Sequence, residues 1–275
     1  MSWGRSCGAF WHDALEVHDG PRGRGIFVKD TAAITRDEVL LRIPAELAVR
    51  PSGEIADLVK AGHCSHFLAL VLTTLHELHV AKPRKPYFDF LAGTPPPHVP
   101  MLWSDAELTH LLGTTVLPCG GAADAASAAF ATHVTPLLER LGEGLFPTRV
   151  RDERLFATVL AQVMSRTVQG RVSYEHGSPS LWPYLGADGP ATSAHTSSSG
   201  PFMLPLFDIL NHSSCTADLG TVLRGASDDL RTVLHGPAED TVGDPSLRAY
   251  ELRAERAISA GEELLHSYGP ACVRP

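Results

Sequence analysis

The stretch Leu204-Pro-Leu-Phe-Asp208-Ile-Leu-Asn211-His212-Ser213 sets polar side chains on either side of an apolar pair, directly after an apolar run beginning at Phe202. Polar groups in such a place need hydrogen-bond partners. Asn211 offers both a donor and an acceptor to a zwitterionic amino-acid ligand, and the backbone after it can serve the edge of a base; a satisfied turn with an Asx cap fits the same residues. A second stretch, Gly261-Glu-Glu-Leu-Leu-His-Ser-Tyr268-Gly269, reads as a turn, a strand and a tyrosine against a glycine. The Tyr268 hydroxyl can orient a nucleophile there, or belong to a half-buried packing residue. A third, Arg22-Gly23-Arg24-Gly25, leads into the strand candidate Gly25-Ile-Phe-Val-Lys29. Its small residues let backbone approach a ligand and its arginines suit a carboxylate, although a plain basic turn has the same composition and the spacing is not that of a dinucleotide fingerprint.

Between these stretches the periodicity changes. Glu38-Val-Leu-Leu-Arg-Ile43, stopped by Pro44, reads as a strand. From about residue 51 the pattern is helical: Phe67, Leu68, Val71, Leu72, Leu75 and Leu78 recur every three or four residues, and Ser104 with Glu107 forms a capping box that opens a helix from Asp105 to about Leu112. The alanine-rich 122–141 stretch and Leu155, Phe156, Val159, Leu160, Val163 and Met164 keep the same period. A polar, proline-containing loop is expected over 173–201, strands over 202–207 and 247–254, and a polar connection over about 213–246. The expected architecture is α+β, with residues 1–50 and 156–275 forming small sheets around a helical insert at 51–155. One internal echo joins the outer segments: Ala33-Ile34, Glu38 and Leu40-Leu41 recur as Ala257-Ile258, Glu262 and Leu264-Leu265. Two copies do not make a repeat array.

The 275 residues, 44% of them apolar, are enough for a sizeable core. The longest aliphatic run, Phe67-Leu-Ala-Leu-Val-Leu72, is far short of the roughly 20 residues that cross a bilayer. The N-terminus lacks the apolar segment of a secretory signal, so an intracellular site, cytoplasmic or nuclear, is expected. Five cysteines at 7, 64, 119, 215 and 272 contain no CxxC pair. The net charge of −8 argues against direct nucleic-acid binding and leaves a basic protein as an attractive partner, though acidity also serves solubility alone. His63, Cys64, His66, His76 and His79 could be read as zinc ligands, but His76-Glu-Leu-His79 is not HExxH and there is no second cysteine pair, so surface helix histidines are the better reading. Neither GxSxG nor GxxxxGK[ST] occurs.

Taken in order, GRGI at 23–26, AITRDEVLLRIP, PYFDFLAGTP, LWSDAELTHLLGT, VMSR at 163–166, LPLFDILNHS and GEELLHSYG resemble the SET-domain protein methyltransferases of the Rubisco large-subunit methyltransferase-like class. That class includes lysine enzymes and the actin histidine methyltransferase. The resemblance implies a SET fold with a large helical insert and S-adenosylmethionine (AdoMet) as cofactor. It implies a protein substrate, no membrane association and a monomer.

Carried over by position, it implies that Arg22, Gly23 and Arg24 meet the amino-acid part of the cofactor. Asn211 and His212 would hold its amino group and adenine. Arg166 and Asp208 would lie beside both cofactor and substrate, and Tyr268 would be the catalytic tyrosine, also touching the cofactor. The chain departs from the class in three ways: arginines fill positions 22 and 24, where acidic or apolar residues are common; the connection from Arg166 to Asp208 is long; and the sequence stops seven residues after Tyr268, so the helical C-terminal lobe of the class is not expected. These departures leave a weakly catalytic binding module as the alternative to an active enzyme. Val168 stands where the actin histidine enzymes carry asparagine, which favours lysine as the substrate residue.

Overall fold

The computed structural model describes residues 2–78, 84–113, 130–168, 201–212, 221–224 and 249–266, with the side chains of all but 212 and 221–224. They fall into two compact units, 2–48 with 203–266, and 49–168 with 201–202.

The first unit is built from strands. After a short helix α1 (Ser2–Ser6), β1 (Phe10–Trp11), β4 (Val39–Pro44), β9 (Ala249–Ala254) and β8 (Thr221–Arg224) form a sheet in the order β1-β4-β9-β8, all neighbours antiparallel. The register of β4 on β9 slips between Val39 and Leu41, so adjacent Leu40 and Leu41 are both fully buried instead of facing opposite sides. With Ile43, Leu252 and Ala254 they make the core of this sheet, each large side chain contributing about 1.5–3 kcal/mol by leaving water. On the outer face Arg42 opposes Glu251 in register, Nε to Oε1 at 2.7 Å, and Arg253 Nη2 donates to the other oxygen at 2.6 Å.

The internal echo has a structural counterpart. Ile34 and Ile258 exchange both backbone hydrogen bonds, at 2.9 and 3.0 Å, and both side chains are buried. Each copy closes its turn alike: the Glu38 carboxylate accepts from the Thr35 amide at 2.8 Å, and that of Glu262 from the Ser259 amide at 3.0 Å.

The second unit is helical, with α2 (Gly53–Lys60), α3 (His66–Glu77), α4 (Lys85–Gly93), α5 (Asp105–Leu108), α6 (Thr135–Leu145) and α7 (Glu153–Arg166). Leu68, Ala69, Leu70, Val71, Leu72 and Leu75 have no exposed surface, so α3 is enclosed on all sides, as an all-round apolar helix must be. Its buried Thr73 and Thr74 satisfy their hydroxyls on the carbonyls of Ala69 and Leu70, at 2.8 and 2.9 Å, and buried Glu77 pairs with Arg84. Ser65 caps α3 and Asp152 caps α7, each accepting from the amide three residues on. The Ser104–Glu107 capping box forms, but α5 ends at Leu108 and continues as a 3₁₀ turn, Thr109–Leu111, rather than as α-helix to Leu112. The Thr109 hydroxyl bonds back to the Ala106 carbonyl at 2.6 Å, a local partner that competes with the α-helical ladder.

Two other expectations are corrected. The apolar run at 202–207 is a strand, β6, only at Phe202–Met203; Pro205 has no amide to donate, Leu206 has φ 73°, and a 3₁₀ turn follows at Phe207–Ile209. The polar connection after residue 213 contains strand β8. Residues 122–129 of the alanine-rich stretch, and all of the 173–201 loop except Pro201, lie outside the described residues. Among the described residues no helix is long and apolar enough to cross a membrane.

Candidate functional site

The site grows from a hairpin in the sheet unit. β2 (Leu15–Gly20) and β3 (Gly23–Val28) pair antiparallel, with Gly20 opposite Gly23 and only Pro21 and Arg22 between them. Closing so tight a turn puts Gly23 at φ 88°, where a side chain would be strained. In β2, Leu15 and Val17 alternate with polar residues, the pattern of a half-exposed strand. On one face of the hairpin the Phe27 ring stacks on His18 at 3.8 Å and folds over the glycines; a Cβ on Gly20 would lie 2.4 Å from Phe27 Cζ.

The other edge of β3 takes a second segment. Gly261 N–H donates to Val28 O, Val28 N–H to Glu262 O and Leu264 N–H to Ile26 O, at 2.8–2.9 Å, which sets Glu263 opposite Phe27. Alternation along the strand then sends neighbouring carboxylates to opposite sides: Glu262 to its own turn and Arg256, Glu263 to the face that carries Gly25. The segment continues as β10 (Leu265–His266), parallel to β7 (Asn211–His212), with Leu265 beside Asn211.

These pairings bring three chain segments to one point. The Glu263 side chain is only 7% exposed; Arg22 Nη1 donates to its Oε2 at 3.1 Å and Asn211 Nδ2 to its Oε1 at 2.7 Å. Asn211 Nδ2 also donates to the Arg24 carbonyl at 3.2 Å. Gly25 lies in the middle, where a Cβ would come within 2.5 Å of Glu263 Oε1 and 3.0 Å of Asn211 Nδ2. The result is a cradle with a half-exposed guanidinium on one side, and a buried carboxylate and an amide on the other. Such a set matches an α-amino acid group, whose carboxylate suits the guanidinium and whose ammonium suits the acceptors.

Arg22, Gly25, the Arg24 carbonyl and Asn211 are thus brought together, while the Arg24 side chain turns out toward Asp19, at 3.7 Å. Asp208 sits half-buried in the 3₁₀ turn just before β7. The His212 backbone pairs with His266, whose ring meets Phe207 edge-on at 4.7 Å. Arg166 ends α7 in the helical unit, half-buried, followed by β5 (Thr167–Val168). Tyr268 lies outside the described residues. Glu263 was not singled out in the sequence; the signal for it was the strand alternation that separates it from Glu262.

Among the described residues no group of three or more His, Cys, Asp or Glu suits a metal ion. Of the described histidines near Cys64, His63 and His66 are exposed, as expected, and His63 meets Arg140 at 2.8 Å; His76 is half-buried, its Nδ1 3.0 Å from the Leu145 carbonyl and its ring leaning on Phe146.

No protein-family model and no curated protein matches the chain. Solved structures do. The SET domain of LSMT bound to lysine and AdoHcy superposes with a TM-score of 0.60 at 16% identity, over 98% of this chain and 53% of that one. Rubisco LSMT bound to AdoMet gives 0.61 at 16%, and Rubisco LSMT bound to sinefungin and monomethyllysine 0.55 at 17%, each over 98% of this chain and 52% of that one. The chain therefore spans about half the length of the structures it matches. At such identity the likeness is one of fold, and the fold is that of the SET domain.

Proposed function

We propose that the chain is an AdoMet-dependent protein methyltransferase acting on a lysine side chain. The observation that carries this reading is the cradle at Gly25, where Arg22, Asn211 and Glu263 supply the opposite charges that the amino-acid end of AdoMet requires. Support also comes from the SET-fold structures above, which are bound to AdoMet, AdoHcy or sinefungin, two of them with lysine or monomethyllysine as well. Val168, rather than asparagine, supports lysine over histidine.

Bound in the cradle, AdoMet supplies an electrophilic methyl group on a sulfonium. Arg22 would hold the carboxylate end and the Asn211 amide oxygen the ammonium end, with Gly25 leaving room for the Asn211 and Glu263 side chains. By the resemblance, His212 would take the adenine side and Asp208 the side of the protein substrate. The residues must present a neutral amine in line with the methyl group and keep water out. A lysine with a pKa of about 10.4 loses its proton at a cost of roughly 4 kcal/mol at about pH 7.5, which an apolar channel lowers. Tyr268 would orient the amine lone pair through its hydroxyl rather than take the proton.

The test is transfer of a labelled methyl group from AdoMet to proteins of a cell extract, with acid hydrolysis to identify the labelled amino acid. Label in methyl-lysine, lost in Tyr268→Phe, is expected. Label in methyl-histidine would overturn the residue assignment, and AdoMet binding without any label would leave a SET-fold binding module.

A further inference from the structure

The Asn211 amide has only one chemically sensible orientation. Its nitrogen faces two groups that can only accept, the Arg24 carbonyl at 3.2 Å and Glu263 Oε1 at 2.7 Å. Turning the amide over would set Oδ1 against both of them. Glu263 is thereby more than a member of the cradle. One of its oxygens fixes Asn211, the other holds Arg22 at 3.1 Å, and a side chain 7% exposed has little room to do anything else.

We infer that Glu263 is a positioning residue for the amino-acid end of the cofactor. It keeps the Asn211 amide oxygen available to the ligand's ammonium and holds the Arg22 guanidinium at the same point for the ligand's carboxylate. The inference rests on the cofactor reading above and adds a residue that selects for a zwitterion. A glutamine at 263 would undo both effects: its own amide can donate to Asn211 and let that side chain turn over, and it has no charge with which to hold Arg22. An aspartate keeps the charge but draws it back from both partners.

The test is calorimetric titration of the full chain with S-adenosylhomocysteine and with 5′-methylthioadenosine, which keeps the nucleoside and thioether but lacks the amino acid. Glu263→Gln is expected to weaken S-adenosylhomocysteine about tenfold, the loss typical of a charged hydrogen bond, and to leave 5′-methylthioadenosine within about twofold. In an Asn211→Ala background the same substitution should cost a smaller factor, because one of its two targets is gone. Should Glu263→Gln fail to fold, as judged by circular dichroism, Glu263→Asp carries the same comparison. Unchanged affinity for S-adenosylhomocysteine, or an equal loss for both ligands in a folded variant, would overturn the assignment while leaving the cofactor reading intact. A folded wild-type chain that binds neither ligand would overturn both.

Discussion

Gly25 and Glu263 are so close that a Cβ on residue 25 would stand 2.5 Å from the carboxylate oxygen Oε1. The carboxylate cannot swing away without releasing Arg22 and Asn211, so the glycine is fixed by its neighbours rather than by its backbone angles.

Gly25→Ala should therefore destabilise the chain by about 1–3 kcal/mol, the usual cost of overpacking, and weaken AdoMet at least about tenfold through displacement of Asn211. Gly93→Ala, at the end of α4 with nothing within 4 Å of its Cβ, is the control: it should not destabilise the chain and should leave AdoMet affinity unchanged. Denaturant unfolding and ligand titration on the pair measure this. An alanine at 25 with native stability and affinity would show that Glu263 and Asn211 can give way without loss of the cradle.

Glu262, beside Glu263 in sequence, faces the other way and predicts an acid response. Arg256 holds its carboxyl below the ordinary 4.5, the Ser259 amide adds to the effect, and partial burial opposes it. A carboxyl depressed in the folded state adds stability above its unfolded pKa, and that stability is lost as the pH falls through the folded value. Glu262→Gln should cost about 1 kcal/mol at neutral pH and progressively less under acid conditions. Thermal melts of both proteins across that range check the sign; a difference that stays constant with pH would exclude titration of Glu262 as its source.

Cys64 is 5% exposed, and burial pushes its thiol up to about 11. A thiol so placed is neither accessible nor ionised near neutrality. Iodoacetamide at about pH 8 should leave Cys64 unmodified in the folded chain and label it after unfolding, as peptide mass spectrometry would record. Rapid labelling of the native protein would mean that the start of α3 opens readily.

Much of this was legible in the sequence wherever one local rule governed the outcome. The three-to-four residue spacing of Phe67, Leu68, Val71, Leu72 and Leu75 reads directly as α3, and Ser104 with Glu107 as a helix start. Strand β3 and strand β4 follow from short β-branched and aliphatic runs between turns, and β4 runs through Pro44 as its last residue. Less legible were elements set by partners distant in sequence. β8 is four residues in a polar stretch and exists by pairing with β9, and β2 exists by pairing with β3. At the site, Asn211 and Arg22 stand out as polar groups near glycine or apolar sequence. Strand alternation sets Glu263 apart from Glu262, but its role depends on Arg22, 241 residues away in the chain, and that partner has no local signature.

On the proposed reading, the cradle around Gly25 holds AdoMet through Asn211. Calorimetric titration of the purified full chain with AdoMet, beside Asn211→Ala, tests it most directly. Affinity of about micromolar strength in the wild type, reduced at least about tenfold in a folded Asn211→Ala variant, is the predicted result. A folded wild-type chain that binds no AdoMet, or a variant that binds as tightly as the wild type, would contradict it.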